Sequence, residues 1–290
     1  MGLATILGLK PQGFFIPHRH ADRVVAGGYP ALEPWFAARD DTFLAFLAEM
    51  ETWFPNFRMM TGPAPEPRFD QDWFPRLDAA AAYAMVRRAA PRRIFEIGSG
   101  HSTRFLARAI ADGGLATRLT CIDPAPRASL EGLAAEWLPV LLQDAPQAYF
   151  TALEPGDMLF IDSSHILMPG TDVDRLLNQV LPSLAPGIIM HVHDIFLPDP
   201  YPTSWAWRGY NEQSAIASLL QGGAYELLFA SHYVASRHGD RLTRGALAEL
   251  PCLDSAFECS MWLQKGAGST ARAGPGRRTA HRSANRLVER

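Results

Sequence analysis

The stretch that most limits what this chain can fold into is residues 93–103. Arg93-Ile94-Phe95-Glu96-Ile97 reads as a short apolar strand, Gly98-Ser99-Gly100 as a tight turn, and Ser102–Ala111 as a helix with Phe105, Leu106, Ala109 and Ile110 on one face. A strand running through a glycine turn into a helix is the first half of a parallel crossover unit, and the pattern repeats downstream. A second strand is predicted at Leu119–Asp123, a helix at about Ser129–Glu136, a weak third strand at Leu138–Leu142 and a fourth strand at Asp157–Asp162. A helix at Asp172–Leu181, a fifth strand at Gly187–His193, a helix at Glu212–Leu220 and strands at Tyr225–Ala230 and Glu258–Leu263 complete the series. Most of these strands are continuous apolar runs, as expected of a sheet buried on both faces. The expected fold is therefore α/β: a doubly wound, Rossmann-like and mainly parallel sheet with right-handed crossovers. Between the last two strands, residues 236–255 are polar and turn-forming. With no evident crossover helix there, a terminal antiparallel strand is expected.

The flanks differ from this core. Residues 1–75 are irregular and rich in proline and aromatics, apart from a helix expected at Asp41–Trp53, where Phe43, Phe46, Leu47 and Met50 share a face. Thr61–Pro67 reads as a linker, and an alanine-rich helix at Leu77–Ala90 is stopped by Pro91. The division expected is a cap over residues 1–75, a main domain over 76–265, and a disordered tail over 266–290, whose Gly, Ala, Ser and Arg cannot bury enough apolar surface to order it. A net charge of −3 gives no reason to expect a nucleic-acid partner. No apolar run is long enough to span a bilayer and no leader is evident, so a cytoplasmic protein without membrane attachment is expected. Cys121, Cys252 and Cys259 form no CxxC pair, which argues against a zinc site or a disulfide framework. Oligomeric state leaves no mark in the sequence.

Glu96, Asp123, Asp144, Asp162 and Asp194 fall at or beside the carboxyl ends of predicted strands, the edge at which open α/β sheets bind ligands. Charges on apolar strands are costly to bury without partners. Their repetition along one edge points to a site, although any one of them is equally well explained as a cap. Gly98 and Gly100 allow close approach of a ligand to the backbone, and the following helix directs amide donors toward it. Ser102 and Thr103 offer hydroxyls for capping or for a ligand carboxylate. Thr103 stands where the full dinucleotide fingerprint has its third glycine, which counts against a nicotinamide cofactor. Asp123, about 20 residues past the turn, occupies the place where a ribose hydroxyl pair is held.

Taken in order, Glu96-Ile97-Gly98-Ser99-Gly100-His101-Ser102-Thr103, Ile122-Asp123-Pro124, Phe160-Ile161-Asp162-Ser163-Ser164-His165 and His193-Asp194-Ile195-Phe196-Leu197-Pro198 resemble the class I S-adenosylmethionine-dependent methyltransferases over roughly residues 75–265. The resemblance implies S-adenosylmethionine as cofactor, held by Glu96 through Thr103 with Asp123, Pro124, Asp144, Asp162 and Ser163. In that scheme Gly98 and Gly100 line the amino-acid end, Asp123 holds the ribose and Asp144 lies near the adenine amine. It also implies an added antiparallel strand at the end of the sheet.

Methyl transfer needs an aligned nucleophile and, for a hydroxyl, removal of its proton. His165 and His193 are the base candidates, with Asp194 beside them, since imidazole titrates near neutrality; each is equally well read as satisfying buried backbone groups. His191, deeper in its strand, reads as a core histidine. Asp162, Asp194 and His165 could also hold a divalent metal such as Mg²⁺. Against this, Ile195 stands where metal-assisted relatives of this class have a further amide or acid ligand. The aromatic loop Phe196–Trp207 either lines the site or packs on the N-terminal region, and Asn211 reads as the cap of the Glu212 helix. The expected function is methyl transfer to a small-molecule acceptor, most simply through oxygen. A nicotinamide-dependent oxidoreductase and a non-catalytic nucleoside-binding module are the alternatives.

Overall fold

The computed structural model describes residues 2–10, 13–14 and 16–267; the expected tail beyond 267 lies outside the described residues. Seven strands form one sheet: β1 (Arg93–Ile97), β2 (Arg118–Ile122), β3 (Glu136–Leu138), β4 (Met158–Ile161), β5 (Ile189–Val192), β6 (Tyr225–Ala230) and β7 (Met261–Lys265). Their order is β3-β2-β1-β4-β5-β7-β6, with helices on both sides. Strands β1 to β5 pair in parallel, and β7 is antiparallel to both β5 and β6. The doubly wound sheet with an antiparallel terminal strand is thus present. The chain leaves β1 toward β2 on one side and returns to β4 on the other. This switch point opens a crevice at the carboxyl ends of β1 and β4.

The strands form where β-branched and large apolar residues run together, and β1, β2, β4 and β5 are buried almost throughout. The helix Arg76–Ala89 packs its alanine face on the helix His101–Gly113, and Ala79 to Ala82, all fully buried, permit that close approach. The helix Asp40–Thr52 lies against β6, with Phe43 and Phe46 meeting Phe229 edge to face at 6.0 and 5.1 Å.

Several expectations are corrected. The stretch 129–135 is not helical: Ser129 Oγ accepts from Glu131 N–H, Arg104 holds the Ser129 carbonyl, and Gly132 takes a left-handed φ of +84°. Strand β3 lies at Glu136–Leu138 rather than 138–142, because Pro139 cannot donate to the ladder. Residues 236–255 are not a plain loop. They continue the helix Ser231–Arg237 into the helix Gly239–Arg244 and a 3₁₀ turn, Ala246–Glu249. Strand β7 begins only at Met261, since the N–H groups of Cys259 and Ser260 are donated to the Asp78 carboxylate. Residues 172–183 are helical as expected, with a π segment at Leu176–Val180.

Candidate active site

The glycine turn is fixed by steric necessity. Gly98 has φ +78°, and a Cβ there would stand 2.0 Å from the Asp162 carbonyl oxygen. The close approach arises because β1 and β4 are parallel neighbours and Asp162 N–H donates to the Ile97 carbonyl at 2.8 Å. Asp123, following β2, closes the turn from the other side. Its carboxylate accepts from Ser99 N–H and from Ala125 N–H, each at 2.7 Å.

Glu96 is corrected from a ligand-facing residue to the foundation of the turn. Alternation along β1 turns it into the interior, where it is fully buried. There it accepts from Ser102 Oγ (2.7 Å), Thr103 Oγ1 (2.6 Å) and Cys121 Sγ (3.2 Å). Burial raises its pKa to about 7 against the opposing pull of these donors. Thr103 is corrected likewise: it is fully buried, and its hydroxyl also accepts from Gly100 N–H at 2.9 Å, so it braces the turn and offers nothing to a ligand.

Two hollows meet at this edge of the sheet. The larger, about 530 Å³, is lined by Gly98, Ser99, Asp123, Pro124, Gln143, Asp162 and Ser163 among others. Asp144 is absent from that lining. The 3₁₀ turn Leu142–Asp144 rotates successive side chains so that Leu142 and Gln143 face the cleft and Asp144 faces solvent. The smaller hollow, about 120 Å³, is lined by Gly100, His101, Ser102, His165, His193, Asp194 and a set of aromatic residues. Ser99, Arg127 and Asp162 line both. The Ser99 hydroxyl is buried with no partner among the described residues.

The floor of the smaller hollow is a cluster of histidines and carboxylates. His165 Nε2 lies 3.3 Å from Asp162 Oδ1 and 3.3 Å from Asp194 Oδ2, while its Nδ1 lies 2.9 Å from Glu212 Oε2. His193 Nδ1 faces Asp194 at 3.4 Å and Asp162 at 3.6 Å, and its Nε2 faces Asp78 at 3.2 Å. Each imidazole therefore turns one nitrogen to the hollow and is held from behind by a buried acid. Burial alone lowers the His165 pKa, but Asp194, Asp162 and Glu212 outweigh it and raise it well above the ordinary value. The same balance, with Cys259, Asp194 and Asp162 as the raising groups, holds for His193. Burial also opposes ionisation of Asp162, yet His193 and His165 keep its carboxyl far below the usual range. His165 and Asp194 have left-handed φ values of 60° and 56°, a strained conformation for residues bearing a Cβ.

His191 is a core histidine as expected. It is fully buried, stacked on Phe160 at 3.7 Å and bonded to Ser260 Oγ at 2.8 Å, with burial and His193 pushing its pKa well down. Asn211 does not cap the Glu212 helix. Its side chain bonds the Leu167 backbone instead, accepting from the N–H at 2.6 Å. Of the expected metal set, Asp162 and Asp194 each lie 3.3 Å from His165 Nε2, but the three are not gathered tightly enough to form a ready-made ion cluster among the described residues. Among the described residues, the donors that lie within 4.8 Å of one another are those of Asp78, His193 and Cys259. Asp78 is already engaged by the N–H groups of Cys259 and Ser260.

Asp78 and Glu212 were not singled out from the sequence. Asp78 had a visible signal, a lone acid inside the apolar run Leu77-Asp78-Ala79-Ala80-Ala81-Ala82. Glu212 had none, since an acid in the first helical turn is ordinary. Of the aromatic loop, Trp205 lines the smaller hollow and Phe196 packs on Tyr201, Trp205, His232 and Phe257, while the loop also meets the N-terminal region, where Tyr29 N–H donates to the Pro198 carbonyl at 2.7 Å. Among the described residues the three cysteines are free, and no helix is long and apolar enough to cross a membrane.

A glycine turn at the switch point, an acid closing the neighbouring strand and an adjoining histidine–carboxylate chamber thus lie together at one edge of the sheet. Residues 95–195, which carry most of this edge, match the model of a methyltransferase domain family, and the match supports an enzyme of that class. No curated protein matches the sequence. Among solved structures, the chain is similar to an SAH-bound methyltransferase from Podospora anserina, at 17% identity and a TM-score of 0.42, over 88% of this chain and 99% of that one. It is also similar to an O-methyltransferase from Bacillus cereus in complex with SAH, at 16% identity and a TM-score of 0.41, over 75% of this chain and 91% of that one. A branched-chain polyamine synthase from Thermus thermophilus is similar at 16% identity and a TM-score of 0.43, over 74% of this chain and 63% of the synthase.

Proposed function

We propose that the protein transfers a methyl group from S-adenosylmethionine to an oxygen of a small-molecule acceptor. The observation that carries this reading is the junction of the two hollows at Ser99 and Asp162: a ligand seated in the larger meets one seated in the smaller there. The residues present fit the cofactor. Gly98 presents bare backbone to the larger hollow, Ser99 has an unpartnered buried hydroxyl in the wall, and Asp123 stands at the rim beside the turn. Ser99, Asp123, Gln143 and Ser163 would hold it. When bound, it supplies an electrophilic methyl group on a sulfonium.

The remaining work falls to the chain's own side chains. Glu212 and Asp78 fix the rings of His165 and His193 from behind, so one nitrogen of each is presented without reorganisation at the moment of reaction. Phe74, Trp205 and Phe257 supply the apolar part of the chamber wall. Asp194 orients the acceptor hydroxyl, and neutral His165, 3.3 Å from it, takes the proton. Because the surrounding acids raise the His165 pKa, turnover is expected to rise as pH increases through that raised value.

Thermal shift and calorimetry with S-adenosylhomocysteine and NAD test the reading. S-Adenosylhomocysteine is expected to stabilise the protein and NAD is not. Asp123→Ala is expected to weaken S-adenosylhomocysteine binding by about tenfold or more, the loss of a charge-assisted contact. Stabilisation by NAD alone, or unchanged affinity in Asp123→Ala, would refute it.

A further inference from the structure

The smaller chamber has a cationic rim that proton transfer does not use. Arg127 lies over the face of Trp73, its Cζ 4.4 Å from the ring centroid. Arg208 lies over Trp205 at 3.9 Å, with Tyr210 at 5.3 Å. Both arginines line the chamber. Among the described residues neither forms an ion pair, whereas Arg76, Arg108 and Arg237 are each bonded to carboxylates. Arg208 donates one long bond to Tyr210 Oη at 3.4 Å, and its Nε is buried without an acceptor. A guanidinium held by stacking keeps its planar fork of donors free, and a buried donor left unpaired is costly until a ligand satisfies it.

The chamber's own acids do not fill that role. Asp162 and Asp194 are engaged with the two histidines on the floor, and Asp72, which also lines the chamber, pairs with neither arginine. The walls are Trp73, Phe74, Trp205, Tyr210 and Phe257, around about 120 Å³. That volume is close to the roughly 150 Å³ that holds one benzene, and because Asp72, His101, Ser102 and Ser255 also line the chamber, it suits a single ring that carries polar substituents.

We propose that the acceptor is a small aromatic hydroxy-carboxylate, its ring packed between the aromatic walls, its carboxylate gripped by Arg208 and its hydroxyl delivered to His165 and Asp194. The proposal rests on the methyl-transfer reading of the same site. In the balanced step the hydroxyl oxygen gains the methyl group, its proton passes to His165, and the electrons of the broken carbon–sulfur bond return to sulfur.

Calorimetry on the full chain loaded with S-adenosylhomocysteine tests this, with 3-hydroxybenzoate, 4-hydroxybenzoate and 4-hydroxyphenylacetate as probes against their methyl esters. At least one acid is expected to bind, with its ester weaker by about tenfold or more, the worth of a fork-to-carboxylate contact. R208Q is expected to abolish that discrimination while keeping S-adenosylhomocysteine affinity within about twofold, which also shows that the variant is folded. Failure of every acid to bind, equal binding of acid and ester, or an unchanged preference in R208Q overturns the proposal. Failure of S-adenosylhomocysteine itself to bind would instead defeat the methyl-transfer reading.

Discussion

His165 illustrates how far single side chains could be read in advance. The motif Asp162-Ser163-Ser164-His165 marked it as a base candidate. Among the acids that raise its pKa, after Asp194 and Asp162, is Glu212, 47 positions away in sequence and 2.9 Å away in space, and no local pattern announces that distance. The contact of His193 with Asp78 is equally hidden. Glu96 misled for the opposite reason: it sits inside a convincing motif, but strand alternation turns it inward, beneath the glycine turn rather than toward the cleft. The Glu212 contact makes a definite prediction. Glu212→Gln keeps the shape and removes the negative charge, so the raised pKa of His165 must fall. The acid limb of the kcat/KM profile is then expected to move to lower pH by about one unit. Stability should follow with a fixed sign. A raised histidine pKa contributes stability that is complete below the unfolded value of about 6.5 and is lost as pH rises through the folded value. The wild type's thermal advantage over Glu212→Gln should therefore be largest below that point and shrink above it. A limb that stays in place or moves upward would remove Glu212 from its assigned role.

At the scale of elements, the strands were legible wherever apolar runs were continuous, as in β1, β2, β4 and β5. Legibility failed where backbone hydrogen bonds were diverted to side chains, as at Ser129 and at Cys259–Ser260. Periodicity records which residues are apolar and not where a carboxylate from another helix intercepts an N–H. The turn between β1 and the helix His101–Gly113 is the element on which the cleft depends. Glycine was expected at position 98 to admit a ligand; the structure adds that the neighbouring strand end alone forbids any side chain. Gly98→Ala combines a left-handed φ with a Cβ 2.0 Å from the Asp162 carbonyl, so β1 and β4 must part or the turn must flip. Either change moves Ser99 away from Asp123. The expected result is a fall in stability of about 2–4 kcal/mol, the range of a strained backbone position compounded by a clash, together with loss of measurable S-adenosylhomocysteine binding. Denaturant melts and calorimetry would check both, and near-normal binding in Gly98→Ala would show that the ligand does not cross this turn.

For the whole molecule, the question is whether residues 1–75 are a separable cap or part of the same folding unit. The aromatic residues of that region had no partner visible in the sequence, because their contacts are with elements more than a hundred residues further along as well as with near ones. Phe57, Phe69 and Phe105 form a chain of edge contacts at 5.5 and 5.0 Å, and Phe74 reaches Phe160 on β4 at 5.8 Å. Phe43 and Phe46 meet Phe229 on β6, and Arg39–Glu226 and Arg237–Glu33 bridge the same boundary at 2.9 and 3.0 Å. Exposed ion pairs of this kind add little, so the coupling rests on the buried rings. We propose that the N-terminal region covers the sheet as a cap whose core is continuous with it, and that the two melt together. Phe46 is the point to test: it is 1% exposed, between Phe229 and the guanidinium of Arg88. Phe46→Ala should cost about 3–5 kcal/mol and displace a single calorimetric transition as a whole, with calorimetric and van't Hoff enthalpies still in agreement. Were the cap independent, the variant would instead show a small early transition and leave the main one, with its S-adenosylhomocysteine stabilisation, where the wild type has it.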